Sequence, residues 1–470
     1  MSDPDTGGSL VRYYCTAGTG MERFLIREVK EKLAAEDVCQ TAGKVLFSSS
    51  AAIHSVRGLK AAERLFLLLR RDAPLRLPAH TGPAAAAAAL RSRALGDGAQ
   101  WAAAAATWSR LQGELEGRRT EERRQGERDR GDEEPGSRVE ALKTKRKRDE
   151  EEKESSERKR RLEEDDGGAE TPAESFIHEE VKPSGCSEPE PPDPALSFRV
   201  SCKCTGSLSR CFGAQEVSRL IGGGLSRLLG WKADLKNPQL EVNVSLSDDH
   251  FLLGFPLTRL PLANRSYMRT TGLRSTVAWA MASLAQIQPG SRVVDPMCGV
   301  GTILIEAAQE LKAACFLGLD IDDGQLQKAN ENVAFAELGN RIQLLKASSM
   351  RLPLPSASVD AVVCDLPFGR KFGTKTNMAA DLPLILGEME RVLCVGGTLV
   401  LLLSPQLSCL LKTLLSRAAP GPAPDLEAEP RSGLQRGAPP PRSSLEHQET
   451  LRVSLGAIDG LIHKYVKMDT

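Results

Sequence analysis

From about residue 273 onward, short apolar runs alternate with stretches of helical spacing, and each change of period predicts an element. RVVD (292–295) is a short apolar strand, and TILIEAAQELK (302–312) follows with Ile303, Ile305, Ala307 and Leu311 placed for one helix face. ACFLGLD (314–320) reads as the next strand, DDGQLQKANENVAFAELG as a helix, and RIQLLKA as a third strand. VDAVVC (359–364), the helix LILGEMERVL and the strand GTLVLLL continue the alternation, and ETLRVSLGAI with LIHKYVK forms a closing antiparallel pair. Strands alternating with helices predict a mostly parallel, doubly wound α/β sheet. In such a sheet ligands sit beyond the carboxyl ends of the strands.

The same reading divides the rest of the chain. Residues 10–80 form a first globular part: RYYCTAGTG, the helix MERFLIREVKEKLAAE, the strand KVLFSSS, and a helix ending in ERLFLLLRR. Residues 81–195 begin Ala-rich and become a mixed-charge tract, which predicts a largely disordered insertion because too little apolar area is available to offset ordering entropy. A second globular block covers 196–262, and the α/β block covers 263–470 with a Pro/Gly-rich surface loop at 417–447. The stretch LVLLLSPQLSCLLKTLL is broken by Pro405 and Lys412, so it predicts a strand followed by a helix and not a membrane span.

Charge sharpens the picture. The net charge is zero, yet His250 to Val294 holds no acid and carries Arg259, Arg265, Arg269, Arg274 and Arg292. Upstream, Arg199, Lys203, Arg210, Arg219, Arg227, Lys232 and Lys236 face only Glu216 and Asp234. Such local asymmetry suits phosphate binding, and equally a solvated helix or strand face. The start, MSDPDTGGSL, predicts no secretory leader, and eleven scattered cysteines predict reduced thiols. Lys145–Arg148 and Arg158–Arg161, separated by nine residues, match a bipartite nuclear-import pattern, with the cytoplasm as the alternative. Cys202, Cys204 and Cys211 lack a nearby fourth ligand and read as packing residues, so no metal is expected.

The chemistry concentrates at strand ends. After the first α/β strand come Asp295, Pro296, Met297, Cys298, Gly299, Val300, Gly301 and Thr302, opening a helix. A dinucleotide fingerprint would place a third glycine at 304, where Leu304 stands. An acid followed by Gly-x-Gly better suits a ligand with an amino-acid moiety, with Asp295 holding an ammonium. Asp320 closes the second strand, where a carboxylate can accept both hydrogen bonds of a ribose diol, and Ile321 follows it. Beyond the fourth strand stand Asp365, Leu366, Pro367 and Phe368.

These residues resemble the class I S-adenosylmethionine-dependent methyltransferases, and Asp365–Phe368 resembles their amino-group motif. FRVSCKCTGSLSRCFGAQEVSRLIGGGLSRLLGWKADLKNPQLEVNV, with Trp231–Pro238 its most specific part, resembles a THUMP domain. The pairing is similar to the THUMP-domain RNA guanine-N2 methyltransferases. The resemblance implies a Rossmann-like, mostly parallel seven-stranded sheet preceded by a ferredoxin-like plus THUMP α+β region. It implies S-adenosyl-L-methionine as cofactor, held by the residues from Asp295 to Thr302, by Asp320 and Ile321, and by Ser348 and Ser349 on adenine. It implies structured RNA as substrate, transfer or spliceosomal, gripped by Lys232 and Lys236, with Arg265, Arg269 and Arg274 lining the path to the site. A small zinc-binding activator subunit is also implied, and no membrane. Two positions depart from the family pattern: Leu366 stands where many relatives carry proline, and Ser348-Ser349 where relatives often carry an acid. Other acceptors, adenine N6 or a protein glutamine, and a catalytically silent RNA-binding protein are the alternatives.

Overall fold

The computed structural model describes residues 9–78, 80–129, 196–368, 378–417, 443–456 and 458–469. Residues 109–195 form a unit of their own, and the remainder of the chain forms the other. The bipartite basic pattern at 145–161 and most of the 417–447 loop lie outside the described residues.

The first half of the larger unit is one eight-stranded sheet in the order β2-β3-β1-β4-β8-β7-β5-β6. Its strands are β1 (Val11–Thr16), β2 (Glu36–Thr41), β3 (Lys44–Ser49), β4 (Arg64–Asp72), β5 (Ser197–Cys204), β6 (Lys232–Ala233), β7 (Leu240–Leu246) and β8 (Phe251–Pro256). The ferredoxin-like part and the block after residue 196 are therefore continuous, because β4 pairs antiparallel with β8, Leu67 opposite Phe255. Helix α1 (Glu22–Leu33) buries Phe24, Leu25, Val29 and Leu33, a spacing that lays one apolar stripe against the sheet.

Two expectations are corrected here. ERLFLLLRR is a strand and not the end of a helix; the helix before it, α2 (Ile53–Arg57), is short. Leucine favours helices in isolation, but Leu65 to Leu69 are all buried, between β1 and β8 in the sheet, and a fully covered run of this length suits a central strand. The Ala-rich start of the 81–195 segment is also ordered. Helix α3 (Pro83–Leu95) begins with proline at its first turn and buries Ala86, Leu90 and Ala94. It docks on helix α5 (Ala214–Leu229), where a Cβ on Gly224 would come within 2.5 Å of Leu95. Small residues let the helices approach closely, and Ala runs carry no moment that would reveal it. Helix α4 (Gly98–Asp129) follows; its Trp101 is buried and meets Trp231 edge-on, with ring centroids 6.4 Å apart.

The second sheet has seven strands in the order β11-β10-β9-β12-β13-β15-β14. They are β9 (Arg292–Asp295), β10 (Cys315–Asp320), β11 (Ile342–Lys346), β12 (Val359–Asp365), β13 (Leu393–Leu403), β14 (Leu445–Ser454) and β15 (Asp459–Lys467). β9 to β13 are parallel, and β15 runs against both of its neighbours. Helices α6 (Ser275–Leu284), α7 (Thr302–Glu310), α8 (Asp323–Phe335), α9 (Met378–Val392) and α10 (Pro405–Arg417) flank it. One large apolar core joins Leu319, Val362, Leu366, Leu382, Leu399, Leu401 and Tyr465. Strand order reverses between β9 and β12, which opens the crevice where a ligand binds. His463, on β15, is fully buried and bonded to Ser408 and Thr450, so it is a satisfied core residue. Among the described residues no helix is long and apolar enough to cross a membrane.

Candidate active site

The crevice is floored by a loop that only glycine can shape. Between β9 and α7, Gly299 adopts φ +53° and Gly301 φ +81°, the left-handed region that L side chains avoid. The turn brings the Gly299 N–H to Asp320 Oδ2 at 2.9 Å and aims the first turn of α7 at the crevice. The other Asp320 oxygen accepts the Asp322 N–H at 2.9 Å. Both oxygens are thus fixed in direction, and each keeps acceptor capacity for a diol.

Asp295, Asp320 and Asp365 end three neighbouring strands, and none forms an ion pair with a described residue. Asp295 is 1% exposed, and its Oδ1 accepts the Met297 N–H at 3.2 Å. Burial pushes its carboxyl well above the usual range, and the charges of Asp365 and Asp320 add to the rise. Burial also pushes Asp365 up to about 7. Acids held in this condition call for a cation. A ligand carrying positive charge would draw both carboxyls toward their ionised form, whereas a dinucleotide pyrophosphate would meet repulsion there. Cys298 and Cys364 lie buried beside these acids, and burial holds both thiols protonated.

Exposed apolar side chains stand near Asp320. Ile321, next to Asp320, is 66% exposed, and Met350, which the sequence reading did not single out, is 41% exposed. The Ala347 N–H bonds the Asp320 carbonyl, so the segment carrying Ser348, Ser349 and Met350 runs alongside Asp320. The Ser348 hydroxyl accepts the Met350 N–H at 3.3 Å and keeps its own proton to donate. Ser349 is half-buried.

The acceptor side begins at Asp365. The Leu366 side chain is fully buried in the core, and its N–H bonds the Leu402 carbonyl at 3.1 Å. Leucine here serves packing and anchors the turn, a role proline could not share because it lacks the N–H. Pro367 and Phe368 are half-buried, and the ring of Phe368 lies against Gly460 at the start of β15. Residues 369–377 lie outside the described set.

Of the cations expected on RNA, the structure removes one. Arg265 is 4% exposed: its Nε donates to both Glu306 oxygens at 3.1 and 3.3 Å, and its Nη atoms donate to the carbonyls of Leu262 and Lys60 at 2.6 Å. It braces the first half against α7 and cannot reach a phosphate. Arg274 donates to Glu63 at 2.7 Å, and Arg269 stands 59% exposed, 3.6 Å from Glu331. Lys232, on β6, and Lys236 are exposed at either side of Asp234, which closes the following turn by accepting the N–H groups of Lys236 and Asn237.

Asn332 on α8 escaped the sequence reading. It is fully buried, accepts the N–H groups of Arg269 and Thr270, and donates to the carbonyls of Thr270 and Val300. One side chain thereby ties the linker to the glycine loop. Gly272 adds a second tie, its N–H donating to Thr302 Oγ1 at 3.3 Å. Only long-range contacts reveal either role.

Comparison with known proteins agrees with this geometry. A family described as "THUMP domain" matches residues 179–255, reaching further upstream than the expected boundary at 196, and one described as "RMKL-like, methyltransferase domain" matches 263–419. The bovine U6 snRNA (guanine-N(2))-methyltransferase THUMPD2 is 38% identical over 97% of this chain and 96% of its own length. The human protein of that name is 38% identical over 99% and 97%. Human tRNA (guanine(6)-N(2))-methyltransferase THUMP3 is 33% identical over 50% of this chain and 48% of its own. Among solved structures, TrmN from Thermus thermophilus shares the fold with a TM-score of 0.61 at 21% identity, covering 97% of this chain and 100% of that one. With both modules in order and a full-length likeness, the chain belongs to the THUMP-domain RNA guanine-N2 methyltransferases, class I enzymes that take their methyl group from S-adenosylmethionine.

Proposed function

We propose that this protein methylates the exocyclic N2 of a guanosine in U6 small nuclear RNA. The observation that carries the choice of RNA is coverage: the U6 enzymes match over nearly the whole chain, the tRNA enzymes over half of it. A tRNA guanosine is the second reading, favoured by those partial matches alone.

S-adenosylmethionine, when bound, supplies an electrophilic methyl on a sulfonium. The residues of the chain do the rest. Asp295 and the glycine loop receive the methionyl end, Asp320 the ribose, and Ile321, Ser348, Ser349 and Met350 the adenine edge. A guanine N2 delocalises its lone pair into the ring and is a poor nucleophile. The Asp365 carboxylate and the Leu366 carbonyl accept its two hydrogens and draw the nitrogen toward tetrahedral geometry, while Pro367 stiffens the turn and Phe368 offers a face for stacking. Alignment supplies much of the acceleration, since proximity effects reach ~7–11 kcal/mol. With the methyl bonded to N2 and its bond to sulfur broken, which would leave the donor as a neutral thioether, one N2 proton would pass to Asp365 or to water, so the methylated base is neutral. Lys232, Lys236, Arg269 and Arg274 hold the RNA, whose target base must lie unpaired.

The likeness to nuclear-RNA enzymes and the basic pair at 145–161 support a nuclear location. A small zinc-binding activator subunit completes the proposed enzyme. The test is methyl transfer to U6 and tRNA transcripts, with and without the activator, read as N2-methylguanosine by mass spectrometry. Transfer to neither RNA under either condition would overturn the proposal; transfer to tRNA alone would select the second reading.

A further inference from the structure

A second cationic group lies on the first sheet, away from the Lys232–Lys236 turn. Strand register places Arg71, Leu252, Ser245 and Lys203 in one row across β4, β8, β7 and β5. Directly opposed residues point to the same face, and three strand spacings put the outer two about 14 Å apart at Cα. Between them His250 is buried, its Nε2 3.4 Å from Ser245 Oγ and its Nδ1 3.0 Å from Ser247 Oγ. Lys44 reaches in from β3, with Nζ 3.3 Å from His250 Nε2. Arg71 Nη1 lies 3.0 Å from Cys39 Sγ.

No described carboxylate forms an ion pair with Lys44, Arg71 or Lys203. Of the nearby acids, Asp72 pairs with Arg70 and Arg93, while Asp248 and Asp37 are bonded to the serines Ser207 and Ser48. Asp249 alone tempers the group, and its effect on His250 is outweighed by burial and by Lys44, which hold the imidazole neutral with a value of about 4. Burial, and after it Lys203, depresses the Lys44 ammonium. Three cations thus gather around hydroxyl and imidazole groups, and none of the three is held in an ion pair among the described residues. The Lys232–Lys236 turn lies before the start of β7, and this site lies at its other end.

We propose that Lys44, Arg71 and Lys203, set around the buried Ser245–His250 pair, form a phosphodiester-binding site that holds a second stretch of the substrate RNA backbone. The inference rests on RNA being the substrate and specifies how it is gripped. Two phosphate contacts at opposite ends of β7 would orient the strand, which one turn cannot do.

The test is fluorescence anisotropy with U6 and tRNA transcripts on the full chain, titrated from about 50 to about 200 mM salt. A K44A/R71A/K203A variant should bind both RNAs more weakly, with the log–log salt slope reduced by about 2–3 units, while S-adenosylmethionine affinity and the thermal midpoint hold. A K232A/K236A variant should reduce the slope separately, and the two losses should add. A slope within roughly half a unit of the parent overturns the proposal. Phosphorus NMR with inorganic phosphate forms the second arm: phosphate bound by the parent and not by the triple variant, with the RNA slope unchanged, assigns the site to a free anion and also overturns it. Because the readout is binding, loss of slope in a protein that methylates neither transcript would sink the proposed function and leave this site standing.

Discussion

The buried pair between Arg265 and Glu306 is the joint on which the RNA module meets the cofactor helix, and cutting it has a calculable cost. Glu306 is fully buried and accepts from Arg265 Nε and from the Tyr267 hydroxyl at 3.0 Å. Arg265 spends its remaining donors on Leu262 and Lys60 carbonyls. Glu306→Ala would leave a guanidinium enclosed without a counter-charge and a phenol without its acceptor. Breaking one side of a buried pair costs about 3–5 kcal/mol, while replacing both sides by apolar groups is often neutral. With an m-value of about 2–3 kcal/mol/M, the single variant should move the urea midpoint down by ~1–2 M. R265M/E306L should recover most of that, which a double-mutant cycle measures directly. Lys60 complicates the double variant, since its ammonium lies 4.4 Å from the Tyr267 ring centroid and draws on Glu306. Recovery will therefore be partial. A Glu306→Ala cost below about 1 kcal/mol, or a double variant no better than the worse single, would refute the reading of the joint as a closed ion pair.

Asp365→Asn should abolish methyl transfer while leaving S-adenosylmethionine binding within a few-fold, as measured by calorimetry. The same carboxyl sets a pH dependence. Its value in the fold, about 7, stands above the 3.8 of an exposed aspartate, so the ligand-free fold holds a proton that the unfolded chain has released. Ligand-free stability should therefore fall as pH rises from about 4 to 7, by up to ~4 kcal/mol, and the loss should shrink in Asp365→Asn; a flat difference between the two proteins across that window would contradict it. Asn332→Ala strands two N–H groups and two carbonyls, so cofactor affinity should drop at least about tenfold, with Asn332→Asp little better because its oxygens would face the Thr270 and Val300 carbonyls. Leu90→Ala, in the Ala-rich helix, should cost about 2–5 kcal/mol in chemical denaturation, and a negligible cost would mean that α3 does not belong to the fold.

The catalytic half was legible because its signals are local. Asp295, Asp320 and Asp365 each close an apolar run, and the glycines that follow the first are required by backbone angles alone. The parts that misled depend on partners far along the chain. ERLFLLLRR carries leucine's helical preference, and only strands on both sides make it extended. The alanines of α3 show no amphipathic stripe, since their use is to let Leu95 approach Gly224. Arg265 counts as a surface charge until Glu306, 41 positions away, is found beside it. Glu306 and Asn332 sit in helices flanking the glycine loop, without a motif around either. One fastens α7 to the Lys60 carbonyl through Arg265, and the other fastens the 269–270 linker to Val300. The glycine loop is thus tied both to the first half and to the segment leading from it. A shift of that loop would therefore pull on both ties together, the Arg265–Glu306 pair and the Asn332 bonds.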